Sequence, residues 1–91
     1  MTPLEKKQII MSCWANYQRW LSEGMPTYKE DQYYYDPYHA GIYSVKDREG
    51  IYCCSYQYYD SPDGDYWVYY TFKPINGGID VEILEENYRA R

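Results

Sequence analysis

The chain has 91 residues, enough for one small domain, and it is unusually rich in tyrosine, with 15 Tyr against a single Phe. Its 14 acidic and 9 basic residues give a formal net charge of -5. This charge argues against direct binding to nucleic acid, because neutralising phosphates requires clustered Lys and Arg, and it suits a protein partner with a basic surface. It is also an ordinary charge for a soluble domain.

The first element predicted is an α-helix over about residues 3–23. Thr2 can cap it, Pro3 suits the first helical position, and Glu5 completes a capping box. Gly24 and Pro26 are expected to end it. Apolar residues recur at helical spacing and form one stripe: Ile10, Cys13, Trp14, Tyr17, Trp20 and Leu21. We expect this stripe to pack on a sheet.

A tyrosine-rich connection follows, over about residues 25–40. It has no clean period, and Pro37 disfavours a helix at Asp36. We expect an extended segment that wraps around the edge of the domain.

From residue 41 the period changes to two, which predicts a β-meander over about residues 41–84. The predicted strands are "GIYSVK", "IYCCSYQYY", "YWVYYTFK" and "GIDVEIL", and the turns between them are short. Short connections favour antiparallel neighbours. Residues 85–91 are polar and are expected to fray or to add a short turn. The predicted fold class is α+β, with one N-terminal helix packed on a four-stranded antiparallel β-meander.

The hairpin at residues 51–72 carries aromatic residues on both of its faces. A three-residue loop at residues 62–64 would place Cys54 opposite Phe72, Tyr56 opposite Tyr70, and Tyr58 opposite Val68. That face holds the only Phe and the hairpin's only Val, so we expect it to meet the helix. The residues predicted on the second face are Ile51, Cys53, Ser55, Gln57, Tyr59, Trp67, Tyr69 and Thr71.

One helix covers only one face of a four-stranded sheet, so the second face needs another cover. Three covers are possible: the connection at residues 25–40, a second copy of the chain, or a partner protein. Monomers seldom leave large apolar patches exposed to water.

The cysteines and the N-terminal segment indicate the cellular compartment in which the protein is expected. Residues 1–14 lack the apolar core of a secretory signal, and no run approaches the roughly 20 apolar residues that span a bilayer. Cys53 and Cys54 are adjacent in a predicted strand, so their side chains point to opposite faces. We therefore expect three reduced thiols, a cytoplasmic location and no contact with a membrane.

No motif for catalysis, for a metal or for a cofactor stands out. His39 is the sole histidine and has no evident orienting partner. Aspartates cluster at the hairpin tip and could hold Ca²⁺, but their order does not match an EF-hand loop, so turn formation is the better interpretation. We expect no enzyme activity, no catalytic residue, no metal and no cofactor.

The predicted function is that of a small acidic protein that binds and inhibits another protein. Tyr and Trp concentrate at interface hot spots. The candidate aromatic anchors are Trp67, Tyr69, Tyr59, Tyr33, Tyr34 and Tyr35. The candidate acidic residues are Asp60, Asp63, Asp65, Glu30, Asp31 and Asp36.

Carboxylates spaced along a surface can imitate a phosphate backbone. The partner could then be a nuclease or a nucleic-acid-binding complex of host defence, and phages and mobile elements encode short acidic inhibitors of this type. The alternatives are a toxin-neutralising immunity protein, or a ligand-binding module with a Tyr/Trp-lined pocket between helix and sheet. A homodimer is also possible.

Overall fold

One helix lies across a four-stranded antiparallel sheet in a computed structural model of the chain, which confirms the predicted α+β class. The structure describes residues 2–27, 29, 41–61 and 64–90, and the side chains within 2–27, 29, 41–55 and 67–88. The elements are α1 (Pro3–Ser22), β1 (Ile42–Ser44), β2 (Tyr52–Ser61), β3 (Gly64–Ile75), a 3₁₀ turn (Asn76–Gly78) and β4 (Asp80–Ala90). The strand order is β1-β2-β3-β4, and each neighbouring pair is antiparallel.

The helix begins at the predicted capping box. The backbone N–H of Glu5 donates to Thr2 Oγ1 at 3.2 Å, and the backbone N–H of Thr2 donates to Glu5 Oε2 at 3.4 Å. These two bonds satisfy two of the N–H groups that a helix leaves without partners at its start. The helix ends at Ser22 with Glu23 as its C-cap, within one residue of the predicted end.

The core lies between α1 and the sheet face that meets it, and its helix residues are those of the predicted apolar stripe. The ring of Trp14 lies 4.8 Å from that of Tyr52 and 5.6 Å from that of Phe72, distances typical of favourable aromatic pairs. Trp14 Nε1 also donates to the carbonyl of Gly78 at 3.0 Å, which satisfies the one polar atom of this ring. The buried core residues are Ile10, Trp14, Tyr17, Trp20, Ile42, Cys54, Val68, Tyr70, Phe72 and Val81.

The register of the β2–β3 hairpin differs from the prediction by two residues. Ser61 pairs with Gly64, so the loop has two residues rather than three. That shorter loop accounts for one residue of the shift, and the bulge between Gln57 and Tyr59 accounts for the second, so Cys54 pairs with Tyr70 instead of with Phe72. Up to Gln57, a shift of two residues leaves the residues of β2 on their predicted faces, which explains why the predicted core face is right although the predicted pairs are wrong.

A bulge in β2 makes the register differ between the loop end of the hairpin and the rest of it. Gln57 pairs with Trp67, but Tyr59 pairs with Tyr66, so the register shifts between Gln57 and Tyr59. The sequence had placed Tyr59 opposite Trp67. That pairing is wrong, because a bulge sets two residues of one strand against one residue of its neighbour.

The expectation of a frayed segment at residues 85–91 is also wrong for most of its length, because β4 continues to Ala90. A second bulge lies within this strand: Phe72 pairs with Ile83 and Thr71 pairs with Glu85, which leaves Leu84 as the extra residue. Before the bulge, Ile83 packs against the helix-facing core. After it, the next residue on that face is Glu86.

Glu86 is held there by partners on two elements. Its carboxylate accepts from Lys6 Nζ of α1 at 3.0 and 2.9 Å, and from the hydroxyl of Tyr88. The lysine ion pair and the tyrosine hydrogen bond lower the pKa of Glu86, with the Tyr88 bond the largest cause. The polar end of β4 is therefore tied to the first turns of the helix.

Little of the tyrosine-rich connection falls within the described residues. Lys29 forms an isolated parallel bridge with Ser44 of β1, in agreement with a segment that runs along this side of the sheet. Residues 30–40, with Tyr33, Tyr34 and Tyr35, lie outside the described residues. In the part of the chain that the structure describes, no helix is long and apolar enough to cross a bilayer.

Candidate protein-binding surface

The candidate surface is the sheet face turned away from α1, which we call the outer face. Successive strand residues point to opposite sides, so the neighbours of the core residues Cys54, Val68 and Tyr70 lie on this face. Strand pairing places them in rows, such as Tyr43–Cys53–Thr71–Glu85 and Ser55–Tyr69–Asn87. Within the described side chains, the outer face includes Tyr43, Cys53, Ser55, Trp67, Tyr69, Thr71, Glu85 and Asn87.

Part of the outer face is a second, smaller core. Tyr43, Val45 and Cys53 are buried, and Ile51 and Tyr69 pack against them. The outer face is therefore not uniformly open. This differs from the expectation that a single helix leaves the whole second face of the sheet uncovered. The outer face is buried near β1, and the rings of β3 are only half-buried.

The burial near β1 depends on a close backbone contact. Gly41 has a φ of +68°, and its carbonyl accepts from the backbone N–H of Ser55 at 3.2 Å and from Ser55 Oγ at 3.4 Å. A Cβ on Gly41 would lie 2.8 Å from both the carbonyl oxygen and Oγ of Ser55. Only glycine satisfies both the left-handed backbone and this contact.

An ion pair crosses the outer face. Arg48, in the turn between β1 and β2, places its Nη1 2.7 Å from Oε1 of Glu85 in β4. The Arg48 hydrogen bond and charge lower the pKa of Glu85. Both charged side chains are more than 40% exposed, so the contact orients the turn more than it stabilises the fold.

Two of the predicted anchors fall side by side on this face. Trp67 and Tyr69 are two residues apart in β3, so their side chains share the face, and both are half-buried. Tyr69 packs against the smaller core, which restricts its ring. Trp67 lies one row further from that core, opposite Gln57.

Of the six predicted acidic residues, the structure describes two, Asp60 and Asp65. Asp60 and Asp65 are direct partners at the end of the β2–β3 hairpin, although their side chains lie outside those described. The remaining acidic candidates lie outside the described residues: Asp63, Glu30, Asp31 and Asp36. The side chain of Tyr59 also lies outside them.

The sequence missed Tyr43, Arg48 and Glu85 as residues of this face. Tyr43 could have been found, because it alternates with Ile42 and Ser44 in a predicted strand. Arg48 and Glu85 could not, because their contact depends on the bulge at Leu84, which no turn or glycine signal marks. If β4 alternated regularly through Leu84, with no bulge, Glu85 would lie on the helix-facing side.

The space between helix and sheet is filled rather than hollow in the described part of the chain, where the rings of Trp14, Tyr17, Tyr52 and Phe72 contact one another. Two described grooves lie elsewhere. One, of about 530 Å³, lies at the β1–β2 turn, and one, of about 620 Å³, lies beside the first half of α1. The alternative of a ligand pocket between helix and sheet gains no support from this packing.

Among the residues described, no group of three or more His, Cys, Asp or Glu side chains is placed to bind a metal ion. Cys13, Cys53 and Cys54 are each a thiol rather than half of a disulfide, as predicted.

No protein-family model, no curated protein and no solved structure matches this chain, so functional inference rests on the outer face itself.

Proposed function

We propose that this chain is a non-enzymatic domain that binds a protein with a basic surface and blocks it. The observation that carries the proposal is the pair of half-buried rings, Trp67 and Tyr69, next to each other on the outer face. Large aromatic rings with few rotatable bonds bury much area on binding at a small cost in conformational entropy.

The support beneath these rings favours binding. Tyr69 rests on the buried cluster of Tyr43, Val45 and Cys53. A side chain that is already restricted in the free protein loses less freedom in a complex, so more of its contact energy appears as affinity. The two bulges also fix where each strand residue points, which gives the face one defined shape.

Charge gives the second part of the proposal. The net charge of -5 attracts a basic protein from a distance and speeds the encounter. Asp60 and Asp65 pair across the hairpin end, so this end of the sheet carries two of the acidic residues that give the chain its net charge. Affinity would then come from the rings, and the association rate from the carboxylates.

More specifically, we propose that the partner is a nuclease or nucleic-acid-binding complex of a defence system. The chain would then be an inhibitor that is encoded by a phage or mobile element and acts in the cytoplasm. The acidic composition supports this, because a basic groove that binds phosphates also accepts carboxylates. An immunity protein against a toxin would use the same surface. The identity of the inhibited enzyme separates the two.

The test is binding to a panel of purified guide-directed nucleases and bacterial toxin nucleases, measured by surface-immobilised kinetics at two salt concentrations. For the partner found, Trp67→Ala and Tyr69→Ala are each expected to weaken affinity at least about thirtyfold, mainly through faster dissociation. Asp65→Asn is expected to slow association, and to do so less at high salt.

The matched control is Asn16→Ala, on the exposed side of the helix, which is expected to bind like the wild type. Wild-type binding by both aromatic variants, together with loss of binding by Asp65→Asn at every salt concentration, would refute the outer face as the source of affinity. An acidic phosphate mimic would then replace it.

A second copy of the chain is the competing occupant of the outer face. Sedimentation of the purified protein over a wide range of concentration separates the two. If Trp67→Ala converts a dimer to a monomer, the rings serve self-association instead of a heterologous partner.

A further inference from the structure

One carboxylate of the outer face lies beside its aromatic rings. Glu85 pairs with Thr71 across β3 and β4, and Tyr69 pairs with Asn87 in the next row of the same face. Glu85 and Tyr69 are therefore diagonal neighbours, a spacing at which long side chains still meet. Trp67, two residues before Tyr69 in β3, shares this face. A carboxylate next to two rings is a combination that suits a planar cation.

The chain's own Arg48 binds this carboxylate in the free protein. Its Nη1 lies 2.7 Å from Oε1 of Glu85, a distance typical of a charge-assisted hydrogen bond. The hydrogen bond and the charge of Arg48 lower the pKa of Glu85, which keeps the carboxylate ionised. Arg48 reaches Glu85 from the β1–β2 turn, 37 residues away in sequence. The structure thus contains one guanidinium bound at this end of the outer face.

Arg48 is held in this place only weakly. Its side chain is 43% exposed and that of Glu85 is 49% exposed, and an ion pair this open to water changes an equilibrium by at most about fivefold. The backbone of the turn is fixed separately, because the N–H of Arg48 donates to the carbonyl of Val45 at 3.3 Å and the N–H of Ile51 donates to the carbonyl of Arg48 at 3.1 Å. Rotation of one side chain can therefore release Glu85 while the turn stays in place.

We propose that the outer face recognises an arginine of the partner protein, and that this arginine takes the place of Arg48 at Glu85. The inference rests on the proposed function for the existence of a partner, and it specifies which basic side chain that partner presents. The incoming guanidinium pairs with the Glu85 carboxylate and lies over the ring of Tyr69. Arg48 is an internal competitor that occupies Glu85 until the partner arginine displaces it.

Arginine fits this site better than lysine for a geometric reason. A guanidinium is planar, so one edge can pair with a carboxylate while its face stacks on an aromatic ring. An ammonium carries the same charge, but it is more strongly hydrated and has no flat face. Because Glu85 and Tyr69 are neighbours on one face, a single arginine can make both contacts.

The test needs no identified partner, because its probe is a short blocked peptide that contains two arginines. The peptide is titrated into the nitrogen-15-labelled full chain at low salt, and the backbone amide signals are followed by NMR. The signals of Tyr69, Thr71 and Glu85 are expected to shift together. Arg48→Ala is expected to bind the peptide about two- to fivefold more tightly than the wild type, since the internal competitor is gone. The same peptide with two lysines is expected to bind this variant at least about twofold more weakly.

Arg19→Ala is the matched control, because it removes the same charge from an exposed position on the helix. It is expected to bind the arginine peptide like the wild type, which separates the loss of a competitor from the change in net charge. Adding Glu85→Gln to Arg48→Ala is expected to abolish both the gain in affinity and the preference for arginine over lysine. All three substituted residues are exposed, and far-UV circular dichroism checks that the variants fold.

Four outcomes would each overturn the proposal: no shift of outer-face signals, Arg48→Ala binding no more tightly than Arg19→Ala, equal binding of the arginine and lysine peptides, or unchanged binding after Glu85→Gln.

Failure of the proposed function gives a different result. A nuclease that binds through Trp67 and Tyr69, with the same affinity for Arg48→Ala as for the wild type, would overturn the arginine site and leave the proposed function standing. Peptide binding as expected, with no nuclease bound, would support the arginine site and count against the proposed function.

Discussion

Replacing Gly41 by alanine tests how tightly β1 is set against the sheet. Two costs add at this position. A left-handed backbone costs an alanine about 1–2 kcal/mol, and Gly41 has a φ of +68°. The new Cβ would also lie 2.8 Å from the carbonyl oxygen and Oγ of Ser55, closer than the atoms can remain. Relieving that contact stretches two hydrogen bonds, each worth about 0.5–1.5 kcal/mol. Gly41→Ala is therefore expected to lower the free energy of unfolding by about 2–5 kcal/mol.

The assay is urea unfolding followed by tryptophan fluorescence, with the midpoint and the m-value both fitted. Gly24→Ala is the matched control, because Gly24 has a φ of +81° and no atom within 4 Å of the site of a Cβ. It is expected to lose only the backbone cost. If the two variants are equally destabilised, the contact with Ser55 does not hold β1, and the account of the buried part of the outer face fails.

Further predictions concern the core and the response to pH. Trp14→Ala removes a buried ring and its bond to the Gly78 carbonyl, so it is expected to cost about 3–5 kcal/mol in urea unfolding; a cost below 1 kcal/mol would contradict the described core. The folded pKa of Glu86 lies below its usual value, so its contribution to stability is complete above the unfolded pKa of about 4.3 and is lost as pH falls through the folded value. Glu86→Gln should therefore show a smaller loss of stability between pH 7 and pH 3 than the wild type, and equal losses would contradict the lysine and tyrosine contacts. Burial raises the pKa of Tyr17 to about 12, so stability present below pH 10 should fall as pH rises towards 12. Absorbance at 295 nm and circular dichroism would follow this together, and Tyr17→Phe should reduce the alkaline loss.

The helix and the division of the sheet into two faces could be predicted because they depend on local patterns. Thr2 and Glu5 mark the start of α1 by a short-range hydrogen-bonding motif. Alternation along β3 separates Val68 and Tyr70 from Trp67 and Tyr69, whatever residues they pair with. The division of β3 between the two faces was therefore predicted correctly, although the predicted register with β2 was wrong by two residues.

The pairing of residues between strands could not be predicted. The two bulges that set it result from tertiary packing, and no residue pattern in the sequence marks them. One shift lies in β2 after Gln57, and one lies in β4 at Leu84. Polar residues after Leu84 resemble a frayed end when only local propensity is considered. In the fold they continue the strand, since Lys6 and Arg48 supply charged partners from distant parts of the chain.

The extra residue, Leu84, also affects whether another copy of the chain can pair with the β4 edge of the sheet. β4 is at one end of the strand order, and a long regular strand in that position is a template on which another chain can add by backbone hydrogen bonding. Here the alternation breaks midway, and Glu85 and Glu86 carry charge to both faces of the sheet. A strand laid along Asp80–Ala90 would meet an irregular row of backbone groups and acidic side chains. The β4 edge of this tyrosine-rich sheet is therefore expected to resist the addition of a strand from another copy of the chain.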